Sequence, residues 1–188
     1  MPVLAPVPPM SEVTIALHEL VPYALRHYFN GSPDRPYYRT RRYDFGSSLL
    51  FLPLVRAFLD TCAAEQSSDY RYLFTLLGSE LASNALKHSR SGIPGRSYTL
   101  LCERKRDGLR LTCRDDGIAK DTATSVHDRS HLTVDPGGLD PSAEAGRGLA
   151  MVDALATEWG DNGRPGHRAV WLFLAYGLQG SRWPELAR

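Results

Sequence analysis

Two polar residues that could hold a metal ion and move a proton interrupt an apolar helical pattern. Glu80 and Asn84 are four residues apart, so on a helix they lie on one face. That face also carries Leu73, Leu76, Leu77, Lys87 and His88. Asn84 could offer an oxygen to Mg²⁺, and Glu80 could accept a proton from a hydroxyl or water. The helix taken alone favours a simpler hypothesis, a hydrogen-bonded cluster of Glu80, Asn84 and Lys87 at the rim of the core.

A third acidic residue ends a predicted β-hairpin. Residues 97–104 and 109–115 alternate like strands around Asp107-Gly108, a pair typical of a two-residue type I′ turn. This turn places Cys102 opposite Cys113 and Arg104 opposite Leu111. One face is then apolar, with Tyr98, Leu100, Cys102, Leu109, Leu111 and Cys113. Asp115 lies on that face at the end of its strand, where a carboxylate needs a partner.

A short glycine motif precedes the next predicted helix. Gly146 and Gly148 flank Arg147, and Leu149 follows. Glycines at a helix start let the backbone approach a ligand, and the exposed N–H groups there suit phosphate. A flexible loop that joins a helix is the alternative. The third glycine of a dinucleotide-binding fingerprint is missing, and no G-x-x-x-x-G-K-[ST] motif occurs.

The elements around these residues predict one α/β domain. Helices are predicted at 11–28 (broken by Pro22), 48–64, 68–89 and 147–159, and strands at 37–45, 97–104, 109–115 and 168–175. They form a two-layer sandwich with helices on one face of a mixed, mainly antiparallel sheet. Residues 118–145 lack apolar periodicity, as expected for a functional lid or a disordered segment.

Composition excludes several other classes of protein. The 188 residues carry 22 Lys and Arg against 21 Asp and Glu, a net charge of +1, which favours neither direct nucleic-acid binding nor a membrane surface. No apolar run is long enough to span a bilayer, and the N-terminus does not resemble a signal peptide. We therefore expect a cytoplasmic protein. Its three cysteines are too scattered for a metal site or a disulfide framework, and thiols are expected.

The three motifs, taken in order, resemble those of the GHKL ATP-binding superfamily, which includes gyrase, heat-shock chaperone, histidine kinase and mismatch-repair ATPases. Residues 80–88 resemble its N-box, Asp115-Asp116-Gly117 its D-x-G-x-G box, and residues 146–152 its G-x-G box. Residues 148–160, followed by 169–171, are most similar to the bacterial anti-sigma-factor serine/threonine kinases. The resemblance covers about residues 38–176 and implies a histidine-kinase-like ATP-binding fold.

The resemblance also implies roles and cofactors, ATP and Mg²⁺. Asp115 would accept a hydrogen bond from the adenine amino group, and Gly117 would let the backbone pass beneath the base. Asn84 would hold Mg²⁺, and Glu80 would be the general base that activates a serine hydroxyl. Residues 118–145 would be the ATP lid. The implied nucleotide-binding residues are Asn84, Lys87, His88, Asp115, Gly117, Gly146, Arg147, Gly148 and Leu149.

Two residues depart from the family pattern, and three functions remain open. Ala119 replaces a glycine of the D-x-G-x-G box, and Ala169 replaces a threonine expected near adenine. The first function is a kinase that phosphorylates an antagonist protein and binds a sigma factor, with a homodimer as a further hypothesis. The alternatives are a nucleotide-binding interaction module without kinase activity and, less favoured, a histidine-kinase catalytic domain.

The chain is predicted to have three parts. Residues 1–37 form an N-terminal extension with a Pro-rich tail and an amphipathic helix, and residues 38–176 form the ATP-binding domain. Residues 177–188 form a C-terminal tail. The amphipathic helix needs a surface to cover, on its own domain, on a second protomer or on a regulatory partner, and the first two are favoured.

Overall fold

A computed structural model describes residues 17–31, 38–118, 131–135 and 147–186. Its α-helices are α1 (Leu17–Leu20), α2 (Leu52–Cys62), α3 (Ser68–His88), α4 (Arg147–Leu155) and α5 (Trp183–Leu186). Its strands are β1 (Thr40–Gly46), β2 (Ser97–Arg104), β3 (Gly108–Asp115), β4 (Glu158–Asp161) and β5 (Arg168–Ala175). Three short 3₁₀ helices lie at Tyr23–Tyr28, Leu49–Phe51 and Arg90–Gly92.

The five strands form one sheet in the order β1-β2-β3-β5-β4. Each neighbouring pair is antiparallel, so the described sheet is antiparallel throughout rather than mixed. Alternate residues of β2, and of β5 up to Leu174, are buried against the helices, as period-two patterning requires. The predicted two-layer α/β fold is confirmed.

Helix α3 is the central element of the helical layer. It begins after Ser67, whose hydroxyl oxygen accepts a hydrogen bond from the Tyr70 amide at 3.3 Å. The Tyr70 hydroxyl donates to the Leu174 carbonyl at 2.7 Å and accepts from the Leu109 amide at 3.2 Å. The first turn of α3 is therefore bonded to both β3 and β5, which fixes where the rest of the helix lies across the sheet.

The hairpin register differs from the predicted one by two residues. Cys102 lies opposite Leu111, not Cys113, and Arg104 lies opposite Leu109. The turn centres on Arg106 and Asp107, neither of which has positive φ, so it is not type I′. Gly108 instead belongs to β3, where a Cβ would lie 2.3 Å from the Leu174 carbonyl oxygen. A shift of two residues preserves which face each side chain occupies, so the apolar face was predicted correctly.

Strand β4 replaces the predicted end of the last long helix. The periodicity continues to Trp159, but α4 ends at Leu155. The Thr157 amide donates to the Phe173 carbonyl at 3.0 Å, and its hydroxyl accepts from the Ala175 amide at 3.0 Å. Pairing with β5 thus satisfies the backbone groups that a longer helix would have used.

The described part of the N-terminal segment packs onto the same core. Pro22 separates α1 from the Tyr23–Tyr28 helix, as expected for proline. Val21 and Phe29 are buried, and the Phe29 ring lies 5.9 Å from the Phe58 ring, centroid to centroid. None of the helices in the described ranges is long and apolar enough to cross a membrane.

Candidate functional site

A cavity of about 470 Å³ opens between α3, the start of α4 and the adjoining ends of β3 and β5. Its lining includes one part of each of the three sequence motifs. Asn84 and His88 come from α3, Asp115 and Gly117 from the end of β3, and Gly148 and Leu149 from α4. Residues far apart in the chain thus meet around one space, which is what the three motifs predicted.

Asp115 lines this cavity from a hydrogen-bonded turn at the end of β3. Its Oδ1 accepts a hydrogen bond from the Gly117 amide at 2.6 Å. Burial raises the pKa of the Asp115 carboxyl above its usual range, and the neighbouring Asp116 adds to the rise. The Gly117 amide, the Ser89 hydroxyl and the Arg168 charge lower that pKa and offset part of the shift. The carboxylate is partly desolvated, which strengthens any hydrogen bond that it makes to a ligand.

The turn after Asp115 is held from two sides. The Arg90 side chain donates to the Asp116 carbonyl at 2.9 Å, and the Asp116 amide donates to the buried Ser91 hydroxyl at 3.0 Å. Gly117 has φ +59°, and a Cβ there would lie 1.8 Å from the Pro165 carbonyl oxygen. Only glycine fits both this backbone conformation and this close approach.

Glu80 and Asn84 meet the start of α4 at Gly148. A Cβ on Gly148 would lie 2.6 Å from Glu80 Oε2 and 3.4 Å from the Asn84 amide oxygen and nitrogen. Neither the Glu80 nor the Asn84 side chain forms a hydrogen bond or ion pair among the described residues. The rim cluster of Glu80, Asn84 and Lys87 that the helix alone favoured is therefore not what the structure shows. Both side chains instead face a helix N-terminus.

The other predicted site residues occupy different positions. Lys87 is exposed and borders a separate depression near Ser47 and Gly92, not this cavity. Arg147 is exposed at the first turn of α4, outside the cavity lining. Gly146 lies outside the described residues, as do residues 119–130 and 136–145 of the predicted lid, which include Ala119.

Sequence reasoning missed Arg168 and misplaced Ala169. In the β5 alternation, Arg168 shares the buried face with Val170, and both line the cavity. Ala169 lies on the other face of the sheet, so its missing hydroxyl does not concern this cavity. Arg168 is the Cα partner of Asp115. The strand pattern contained this information, because residues 168, 170, 172 and 174 alternate with outward-facing ones.

The described part of the predicted lid, residues 131–135, also contacts the cavity. His131, Leu132 and Thr133 contribute to its lining. The His131 Nδ1 lies 2.7 Å from Asp161 Oδ1, and the Asp161 side chain is almost fully buried. This contact attaches residues 131–135 to the end of β4.

The comparison with known families agrees with this geometry. The model of the histidine kinase-like ATPase domain matches residues 51–173, more than half of the chain. The chain belongs to this family. A search of curated proteins finds no match. The protein therefore contains an ATP-binding domain of the GHKL type, and the cavity that its three motifs line is the candidate nucleotide site.

Proposed function

We propose that the protein is an ATP- and Mg²⁺-dependent serine/threonine protein kinase of the anti-sigma-factor type. One observation carries the proposal. The Glu80 carboxylate and the Asn84 amide lie together against Gly148, without partners among the described residues. Both side chains are partly exposed, so in the proposed complex a ligand replaces water around their polar atoms.

The donor set at this position fits Mg²⁺. Mg²⁺ prefers oxygen ligands and is usually held by one or two protein groups together with phosphate oxygens and water. Asn84 would supply the protein oxygen through its neutral amide. When bound, Mg²⁺ neutralises charge on the phosphate oxygens.

Glu80 is then available as a base. In the proposed reaction a serine hydroxyl gives its proton to the Glu80 carboxylate, and the serine oxygen forms a bond to the γ-phosphorus. The bond from that phosphorus to the β–γ bridging oxygen breaks, and ADP leaves. Asp115 accepts a hydrogen bond from the adenine amino group, and the N–H groups at the start of α4 face the phosphates.

The partners follow from the sequence similarity to anti-sigma-factor kinases. The serine would belong to an antagonist protein, and the kinase would also bind a sigma factor in the cytoplasm. A homodimer is part of the same proposal. The supporting feature is the run 148–160 with 169–171, which is most similar to that branch of the superfamily.

A phosphotransfer assay tests the proposal. Purified protein is incubated with γ-labelled ATP, Mg²⁺ and candidate antagonists, and phosphosites are mapped by mass spectrometry. We expect a phosphoserine that Glu80→Ala abolishes and that Glu158→Ala, a change of an exposed acid on β4, leaves intact.

Two other results would replace the proposal. Nucleotide binding with no transfer to any antagonist, equal in wild type and Glu80→Ala, would indicate an interaction module without kinase activity. Acid-labile label on a histidine would indicate a histidine-kinase-type domain.

A further inference from the structure

Arg168 and Asp115 occupy opposed positions at one end of the cavity. β3 and β5 are antiparallel neighbours, and Arg168 is the Cα partner of Asp115. Both side chains line the cavity, together with Cys113 and Val170 from the same two strands. The Arg168 charge lies close enough to act on the Asp115 carboxyl. This end of the cavity therefore presents a hydrogen-bond acceptor beside a cationic donor.

An ion pair with Asp161 holds the Arg168 guanidinium in place. Its Nη1 lies 3.4 Å from Asp161 Oδ2, and the two side chains are 12% and 2% exposed. Asp161 is itself fixed, because Oδ2 also accepts the Gly163 amide at 3.2 Å and Oδ1 contacts His131. A guanidinium has five N–H donors in a planar fork, so it can bind Asp161 and a ligand at once.

The chemistry of the pair matches one edge of adenine. An ionised Asp115 only accepts, and Arg168 only donates. The 6-amino group of adenine is a donor with a ring acceptor on either side, N1 and N7. Guanine in the same pose would place its O6 acceptor against Asp115. Asp115 and Arg168 together can form hydrogen bonds to two neighbouring positions on the edge of the base, whereas Asp115 alone can bond to one.

We infer that Arg168 is a base-selecting residue, which donates to the adenine ring nitrogen next to the amino group that Asp115 accepts. The inference rests on the proposed nucleotide site. Asp161 acts as the positioning residue for Arg168. The alternative is that Arg168 only ties β5 to the end of β4 through Asp161, without touching a ligand.

Adenine analogues separate these two roles. Binding of ATP, 7-deaza-ATP, 1-deaza-ATP and GTP is measured by calorimetry for wild type and for Arg168→Ala. The control is Arg110→Ala, because the Arg110 guanidinium lies 4.0 Å from the Trp171 ring centroid on the other face of the sheet. Arg168→Met is a second variant, since it keeps much of the side-chain volume without a hydrogen-bond donor if the alanine variant does not fold.

Loss of a hydrogen bond to a charged group is expected to lower the nucleotide affinity roughly tenfold or more. Wild type should bind one of the two deaza analogues that much more weakly than ATP. Arg168→Ala and Arg168→Met should bind ATP and that analogue equally, and Arg110→Ala should keep the wild-type preference. ADP should show the same losses as ATP, because the contact is to the base. Asp161→Asn should reduce the preference partly.

Other results would overturn the inference. One such result is that wild type binds ATP and both analogues equally, and another is that the Arg168 variants retain the preference. If the Arg168 variants lost only thermal stability, Arg168 would have a structural role. If their loss of affinity grew with the number of phosphates, Arg168 would contact the phosphates and not the base. If wild type binds no nucleotide at all, the proposed function fails as well, so the two failures are distinguishable.

Discussion

Gly148→Ala is the substitution that tests the proposed site most directly. Gly148 is the second residue of α4, and its φ is not positive, so the backbone does not require glycine there. Alanine is favoured over glycine in helices by about 1 kcal/mol. We therefore expect the free energy of unfolding to stay the same or to rise slightly.

The substitution should instead displace the Glu80 side chain and so lower activity. The new methyl group would lie 2.6 Å from Glu80 Oε2, so this oxygen must retreat by about 0.8 Å to reach ordinary contact at 3.4 Å. Glu80 is partly exposed and can move. A displacement near 1 Å in a catalytic group costs up to about 10² in rate. We expect phosphotransfer to fall by roughly 10- to 100-fold while the fold is retained.

Gly78→Ala is the matched control for this experiment. Gly78 is also helical, but a Cβ there would lie 2.6 Å from Leu59 and 2.8 Å from Leu111, both fully buried. Overpacking of a core costs about 1–3 kcal/mol. Thermal unfolding and phosphotransfer are measured for both variants. Gly78→Ala should lower the melting temperature, and Gly148→Ala should lower the rate.

The reasoning also predicts non-additivity. In a Glu80→Ala background, Gly148→Ala should have little further effect, because the displaced group is gone. Wild-type phosphotransfer in Gly148→Ala would refute the placement of Glu80. If Gly148→Ala lowered the melting temperature as much as Gly78→Ala does, the new methyl group would be disturbing core packing and not only the position of Glu80.

Asp115→Asn should weaken ATP binding by about 10- to 150-fold. The Gly117 amide would keep its hydrogen bond to the oxygen of the new asparagine, so the asparagine NH₂ would face the adenine amino group, donor against donor. Unchanged affinity in calorimetry would contradict this. Because burial raises the pKa of Asp115, the folded state binds its proton more tightly, so stability falls as pH rises from the ordinary value near 4 through the raised one. Asp115→Asn should remove that fall in melting curves at pH 4 and pH 7. Mg·ATP at about 100 times its dissociation constant should add roughly 2.7 kcal/mol of stability to wild type, and the absence of any shift would exclude a nucleotide site. Gly117→Ala should destabilise by at least about 1–2 kcal/mol in urea titrations, with wild-type stability as the contrary result.

Local patterns were sufficient to locate most elements. Helix α3 and strand β5 lie where the sequence predicted them, because their apolar periods are long and bounded by clear turns. The faces of the β2–β3 hairpin were also predictable. The register of the hairpin was not predictable from the sequence. Gly108 suggested a turn, but it lies in β3, where its backbone packs closely against Leu174.

Strand β4 could not be predicted from its own residues. Its four residues continue a helical pattern, and only pairing with β5 makes them a strand. Pairing energy comes from a segment about ten residues further along the chain, so local propensity does not report it.

The site divides in the same way. The sequence by itself determined which chemical groups are present and which face each occupies: Glu80 and Asn84 on one side of α3, Asp115 at the end of β3, and glycines where α4 begins. Tertiary structure decided their partners. Contact with Gly148 brings Glu80 and Asn84 to the start of α4, and β3–β5 pairing places Arg168 beside Asp115. Periodicity follows from backbone geometry within one element, whereas these contacts depend on how separate elements pack and on the register in which their strands pair.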